Sequence, residues 1–429
     1  VLEGKHDVRR VLVSGLTLGG YWIDLSNEPS FTTTDTKVKI DSNGYIHPVA
    51  AGRTTVKVTF RRHSIDLPVN IKSVDTQPVS FVRDVMPAIS RVGCNAGTCH
   101  GAAKGKNGFQ LSLRGYDADL DYQTLVTDLS GRRFNRARPA QSLMLLKPTQ
   151  GVPHGGGQVM EADSRHYEIF HQWIAEGVKS DVITTEKVSR LEVIPNATEI
   201  HLPGMEQQLM VIAHYPDGTS RDVTRDAIYS SSLPDAATVS DSGFVTAVRR
   251  GEAVILVRYE SLYSTSEIIV IGDRSGFKWA EVSQYNYIDG LVYDKLKRVR
   301  VLPSDLCTDA EFIRRLYLDL TGTPPTPDQV QAFLADHEDS RKKREGLIDY
   351  LIGQPEYIEY WTHKWADLLQ SNRKFLGEKG VWLFRKWIYD SVAENKPYDT
   401  FVRDLLMASG SAYQNPAANY HLVTTDKTI

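Results

Sequence analysis

Cysteine is scarce in this chain. Three occur in 429 residues, Cys94, Cys99 and Cys307, too few for a disulfide framework. Long apolar runs are missing as well, and no stretch approaches the roughly 20 residues that a membrane-crossing helix requires. Neither sign of charge dominates: 50 basic and 53 acidic residues leave a formal net charge of −3. That near balance argues against nucleic acid or an anionic membrane as the main partner. The chain opens on Val1, with no charged-then-apolar leader before its first strand-like run, so a mature or trimmed product is expected. The length itself exceeds one ordinary core and implies about three or four domains.

What is present falls into four blocks. Residues 1–74 alternate apolar and polar positions in short runs such as "TTVKVTF" and "IDLPVNI", broken by turn residues, as in a small β-sandwich. The same grammar returns over 187–273, with "QQLMVIAHYPDGTSRDVT" and "EAVILVRY". An internal repeat joins the two, because "DSNGYIHPVAAGRTTVKV" aligns with "DSGFVTAVRRGEAVILV". Gly44 and Gly52 are eight apart, and so are Gly243 and Gly251.

Residues 75–182 change character. "VSFVRDVMPAIS" reads as helix, a loop-rich middle follows, and "DSRHYEIFHQWIAEGV" closes the block as an amphipathic helix. Tyr167, Phe170, Trp173 and Ile174 share one side of it. Two helices around a glycine-rich centre predict a poor core, which a large flat cofactor would complete. From 280 to 429 the chain reads as all-α. Thr308 with Glu311 makes a capping box, and Thr326, Pro327 and Gln329 open a second helix. Trp361, Trp365, Trp382 and Trp387 are expected as core aromatics.

The two clustered cysteines lie in "RVGCNAGTCHGAAKGKNGFQLSLRGYD", with His100 directly after Cys99. Covalent haem attachment uses two thiols followed by an iron-ligating histidine, ordinarily as C-x-x-C-H. Here the spacing is C-x-x-x-x-C-H. On a helix three residues advance about 300° and five about 500°, so two extra residues must bulge. Asn95 and Gly97 are the candidates for the left-handed conformations such a bulge needs. A structural zinc site would need four ligands, with His154, His166 or His171 as the nearest additions. A bare disulfide or two free thiols is the remaining reading. Cys307 is expected to be an inert, packed thiol.

Longer stretches carry a resemblance. "SFVRDVMPAISRVGCNAGTCHG", "GFQLSLRGYD", "LLKPTQGVPHGGG" and "FHQWIAEGV" together resemble the planctomycete-type cytochrome c domain in its four-residue-spacer variant. "TDAEFIRRLYLDLTGTPPTPDQVQAFLAD", "LIGQPEYIEYWTHKWADLL" and "ENKPYDTFVRDLL" resemble the helical domain of unknown function that accompanies those cytochromes. The two β-rich blocks are similar to bacterial immunoglobulin-like group-two domains. Members of the family usually continue into a further domain, so this chain, ending at "HLVTTDKTI", is expected to be a fragment or to continue.

The resemblance implies one covalent haem c on Cys94 and Cys99, with His100 as the proximal iron ligand. For the sixth ligand, His154 in "GVPHGGGQ" occupies the place of a methionine in related domains, and Met160 is the alternative. Gly155, Gly156 and Gly157 would let the backbone pass close to a porphyrin face. Two histidine ligands imply a low-potential electron carrier without an open iron position. Lys104, Lys106, Arg132, Arg133, Arg136 and Arg138 would pair with propionates or steer an acidic redox partner.

The expected product is a periplasmic or cell-surface, multidomain electron-transfer protein with a redox partner protein. One alternative is a surface or scaffold protein that self-assembles through its immunoglobulin-like modules and carries an accessory haem. The other is an oxidoreductase whose catalytic part is the helical tail, where His363, Asp367 and Asp319 are the titratable candidates. No nucleophile–base set stands out there, and an electron carrier is expected over a catalyst.

Overall fold

The computed structural model describes residues 1–425 except 6, 34, 76 and 275; the last residues of the helical block, 426–429, lie outside it. The chain forms two compact units, Val1–Leu302 and Pro303–Ile429.

In the first unit the repeated sequence folds into repeated topology. One four-stranded sheet has the order Leu2–Glu3, His63–Ser73, Gly52–Phe60, Ser30–Thr33. Its counterpart has the order Ala197–Ile200, Leu262–Val270, Gly251–Tyr259, Ile228–Ser231. In each, the first pair is parallel and the other two are antiparallel. The three-stranded sheets correspond as well: Arg9–Arg10, Tyr45–Pro48, Val38–Ile40 against Glu206–Gln208, Phe244–Ala247, Ala237–Val239.

The repeated glycines explain why the two sequences align. Gly44 and Gly243 both sit at φ 75°, where a side chain is strained. A Cβ would also strike an aromatic ring, Phe31 at 3.1 Å in one copy and Tyr229 at 2.9 Å in the other. Along Gly251–Tyr259 the period of two is plain: Ala253, Ile255, Val257 and Tyr259 are buried, while Val254 and Leu256 face out. They meet Leu209, Val211, Val245 and Ile268 in the second core.

Between the sandwiches lies the helical and loop-rich block. Ser80 caps the turn Phe81–Val85, which runs into the helix Met86–Val92, and Ser164 caps the closing helix Arg165–Ala175. The expected poor core is corrected here. Phe81, Val85, Ile89, Leu111, Leu145, Phe170, Trp173 and Ile174 form an apolar interior from the chain's own side chains. The middle contributes to it, because Leu111 and Met160 turn inward from loops whose backbone groups are paired, and Leu145 from the short helix Leu143–Leu146. Trp173 is its centre, fully buried, with edge contacts to Phe134 at 5.5 Å and a tilted contact to Phe81 at 5.2 Å.

Ion pairs tie this block to the second sandwich: Arg83 to Asp217 at 2.9 Å, Arg221 to Asp84 at 2.8 Å, and Arg165 to Asp226. Arg225 joins the second sandwich to Asp41 of the first at 2.8 Å. Helix Tyr287–Arg298 also belongs to this unit, through Lys295 to Glu252 at 2.8 Å and Arg298 to Glu199 at 3.3 Å.

One acid in the first unit is poorly matched. Glu260 is buried, one carboxyl oxygen has no hydrogen-bond partner, and burial pushes its pKa up to about 7. The folded-state value is raised, so ionisation above the usual carboxylate range costs stability, and that cost disappears as pH falls from about 7 towards 4.5. Glu260→Gln is therefore expected to stabilise this unit by about 2–3 kcal/mol at alkaline pH and by almost nothing in acid. Urea unfolding of both forms across pH checks it.

The second unit is helical, as expected. Both capping boxes form, Thr308 with Glu311 and Thr326 with Gln329, and open the helices Asp309–Thr321 and Pro327–Ala335. Lys343 and Arg344 on the helix Ser340–Leu351 hold Asp309, whose carboxyl they lower to about 2. Phe384, Ile388, Phe401 and Leu405 centre a core that Trp365 and Trp387 cover. Trp382 departs from the expectation and is 63% exposed. It precedes Trp387 by five residues, about 500° of helix, so the two occupy different faces.

Candidate functional site

Cys94, Cys99 and His100 follow the helix Met86–Val92, which Gly93 ends at φ 88° in the left-handed region. The widened loop is a run of overlapping turns. Cys99 N–H donates to the Ala96 carbonyl at 2.9 Å, and His100 N–H returns to the Cys94 carbonyl at 3.0 Å. That last bond closes the loop across the two extra residues. Asn95 and Gly97 do not take left-handed conformations; Gly93 supplies the positive φ instead. Asn95 is buried and braces the loop, donating to Ser90 Oγ at 2.8 Å while its carbonyl accepts from Arg114 N–H at 3.0 Å. Gly101 is required for close approach, since a Cβ there would lie 2.1 Å from the Asn95 carbonyl oxygen.

Both thiols are free and neighbour one another. Burial pushes the Cys94 thiol up to about 12, and the charge of Cys99 adds to the shift. Cys94 is thus held as a thiol at neutral pH.

The two histidines share a design. His100 Nδ1 lies 3.1 Å from the Phe109 carbonyl oxygen, and His154 Nδ1 lies 2.9 Å from the Gly157 carbonyl oxygen. A backbone carbonyl only accepts, so each Nδ1 donates to its carbonyl, and Nε2 is the nitrogen left for coordination. This is the second-coordination-sphere arrangement by which ligating imidazoles are oriented. Burial lowers the His100 pKa; the Phe109 carbonyl opposes this, and the charges of His154, Arg133 and Lys106 reinforce it. The shift favours the neutral His100 imidazole, and His154 is near enough to contribute to it.

Two of the three glycines after His154 serve this geometry. Gly157, at φ 72°, returns its N–H to the His154 carbonyl at 3.0 Å, and a Cβ on Gly156 would come within 3.0 Å of His154 Cε1. Met160 is placed differently. It is 5% exposed and packed in the apolar interior with Phe170 and Trp173.

The other expected partners are elsewhere. His166 faces Asp226 at 3.6 Å, and His171 stacks on Tyr167. Among the described residues no group of three or more His, Cys, Asp or Glu is arranged to hold a metal ion, so a four-ligand zinc site is not assembled. A cavity of about 710 Å³ opens beside Arg132, Phe134, Arg136 and Gln141, but none of Cys94, Cys99, His100 and His154 lines it. In the second unit His363 and Asp367 lie 3.7 Å apart on an open helix face, and Asp319 is exposed.

Sequence reasoning missed Phe109. Its ring packs against the His100 imidazole with centroids 4.4 Å apart, and the buried Arg133 guanidinium lies 4.3 Å from the centre of that ring. Arg133 donates to the Thr124 carbonyl at 2.8 Å and the Asp128 carbonyl at 3.2 Å. The motif spacing contains no sign of this stack, which joins the loop of His100 and Phe109 to the separate loop of Arg133.

Residues 287–428 match the family model PSCyt2, described as a protein of unknown function (DUF1549). No curated protein matches the chain. Solved structures with similarity include surface layer protein SbsC, domains 1–6, at 11% identity and a TM-score of 0.18. The alignment covers 62% of this chain and 24% of that one. SbsC domains 5–6 align at 10% identity and a TM-score of 0.23, covering 63% of this chain and 92% of that one. Among the described residues no helix is long and apolar enough to cross a membrane. The chain thus combines β-rich modules, a compact Cys/His segment and a helical segment similar to a family of unknown function.

Proposed function

We propose that residues 75–182 bind one covalent haem c and that the protein transfers single electrons outside the cytoplasm. The carrying observation is the pair of imidazoles, each fixed at Nδ1 by a backbone carbonyl with Nε2 left to coordinate. The residues fit the group. Cys94 and Cys99 would hold the porphyrin by thioethers, and His100 and His154 would hold the iron. Bound there, haem supplies a one-electron couple.

The chain's own residues supply the rest. The Cys94 carbonyl to His100 N–H bond keeps the imidazole beside the thiols. The Phe109 ring covers one side of that imidazole and excludes water from it. Burial of Met160 in the core favours His154 as the sixth ligand, because a methionine ligand would have to leave its packing. Covalent haem assembly takes place outside the cytoplasm in the resembling family, and this supports a periplasmic or cell-surface location. A redox partner protein follows from the same reading.

A surface or scaffold role is the second reading. It is favoured by the ion pairs that weld both sandwiches and the haem-type segment into one unit, as expected of a rigid spacer. Pyridine haemochrome spectroscopy on acid–acetone-washed protein tests the first reading. Retained haem with the spectrum of two saturated thioether positions is expected. Colour lost to the solvent would leave the scaffold reading.

A further inference from the structure

Arg133 stands out among the basic residues of the Cys/His segment because it is buried, 9% exposed, whereas Arg132, Arg136 and Arg138 face solvent. It donates to the Thr124 and Asp128 backbone carbonyls, and no ion pair joins it to a carboxylate among the described residues. Asp128, the acid whose charge is felt at Arg133, is exposed. Residues 91–116 and 129–158, which carry both cysteines and both histidines, contain no aspartate or glutamate at all. The charge of Arg133 is thus largely shielded from water, and the only acid felt there, Asp128, makes no ion pair with it. Arg133 and His100 both pack on the Phe109 ring, and the same Phe109 carries the carbonyl that orients the His100 imidazole.

We infer that Arg133 is a positioning residue that sets the electron affinity of a metal held by His100. A fixed cation near a redox centre favours the state with less positive charge, the reduced one, and a low-dielectric path enlarges the effect. Two imidazole ligands alone give a low potential. Arg133 raises it from that baseline, and Phe109 transmits the charge while keeping the guanidinium from competing for the imidazole. This inference rests on the haem reading.

The test is an equilibrium redox titration of the holoprotein after haemochrome assay. Arg133→Gln is expected to shift the reduction equilibrium about tenfold towards the oxidised form, about 59 mV for one electron. Arg133→Lys keeps the charge and is expected to stay within about threefold of wild type. The Gln shift persists at about 0.5 M salt because the site is buried, whereas any shift in the exposed Arg136→Gln control is screened. If the Gln variant does not fold, Arg133→Met keeps the stem packed over Phe109 and replaces it. A haem-bearing Gln or Met variant at the wild-type potential overturns the inference and leaves the haem reading intact. Equal shifts in the Lys and Gln variants overturn it as well, since packing rather than charge would then be responsible. Absence of covalent haem overturns both.

Discussion

Replacing Trp173 by alanine is expected to destabilise residues 1–302 by about 4–5 kcal/mol. The indole is fully buried, touches Phe81, Tyr122 and Phe134, and donates from Nε1 to the Lys179 carbonyl at 2.9 Å. Its loss leaves a cavity among side chains that come from three separate stretches of chain and cannot all collapse into it. It also leaves the Lys179 carbonyl without that donor, an additional cost of about 1 kcal/mol. Phe separates the two effects: Trp173→Phe keeps most of the apolar volume and is expected to cost roughly 1–2 kcal/mol. Urea unfolding of haem-free protein, followed by circular dichroism, reads both. A Trp173→Ala protein as stable as wild type would show that the interior of this segment is not what holds it.

The second large effect concerns His154. If the proposed haem is present, His154→Ala is expected to keep it, since the thioethers would secure it, and to open the sixth position. The visible spectrum should then move from low spin towards high spin, and added imidazole should restore it. The equivalent change at Met160 should leave the spectrum unaltered, because that side chain lies in the apolar interior. A spectrum that responds to Met160→Ala and ignores His154→Ala would exchange the two assignments. The low-spin state of the intact protein is the expected baseline for two nitrogen ligands.

Much of this architecture was legible because it rests on local rules. Gly44 and Gly243 announce the sandwich repeat, since the positive φ at each and the ring packed against it exclude other residues. Thr308 and Thr326 announce their helices because a capping box is written within four residues. The closing helix Arg165–Ala175 was visible through the spacing of Phe170, Trp173 and Ile174. What escaped is non-local. Leu111, Leu145 and Met160 show no periodicity, because they enter the core from loops and from a single helical turn, Leu143–Leu146, so an interior is not legible in the segment. The bulge was assigned to Asn95 and Gly97, yet a helix-ending glycine one residue before Cys94 already reverses the chain. The Arg133–Phe109–His100 stack depends on two loops converging, and spacing along one of them carries no trace of the other. Trp382 was misplaced by counting aromatics instead of helix angle.

The central claim is that the widened Cys94–Cys99–His100 loop carries haem through two thioethers. Mass spectrometry of the proteolytic peptide containing residues 91–116, taken from protein made in cells equipped for haem attachment, tests it most directly. The account predicts that this peptide bears one haem, and that Cys94→Ser with Cys99→Ser abolishes the addition while the protein still folds. An unmodified peptide with both thiols free, from protein produced under those conditions, would contradict it.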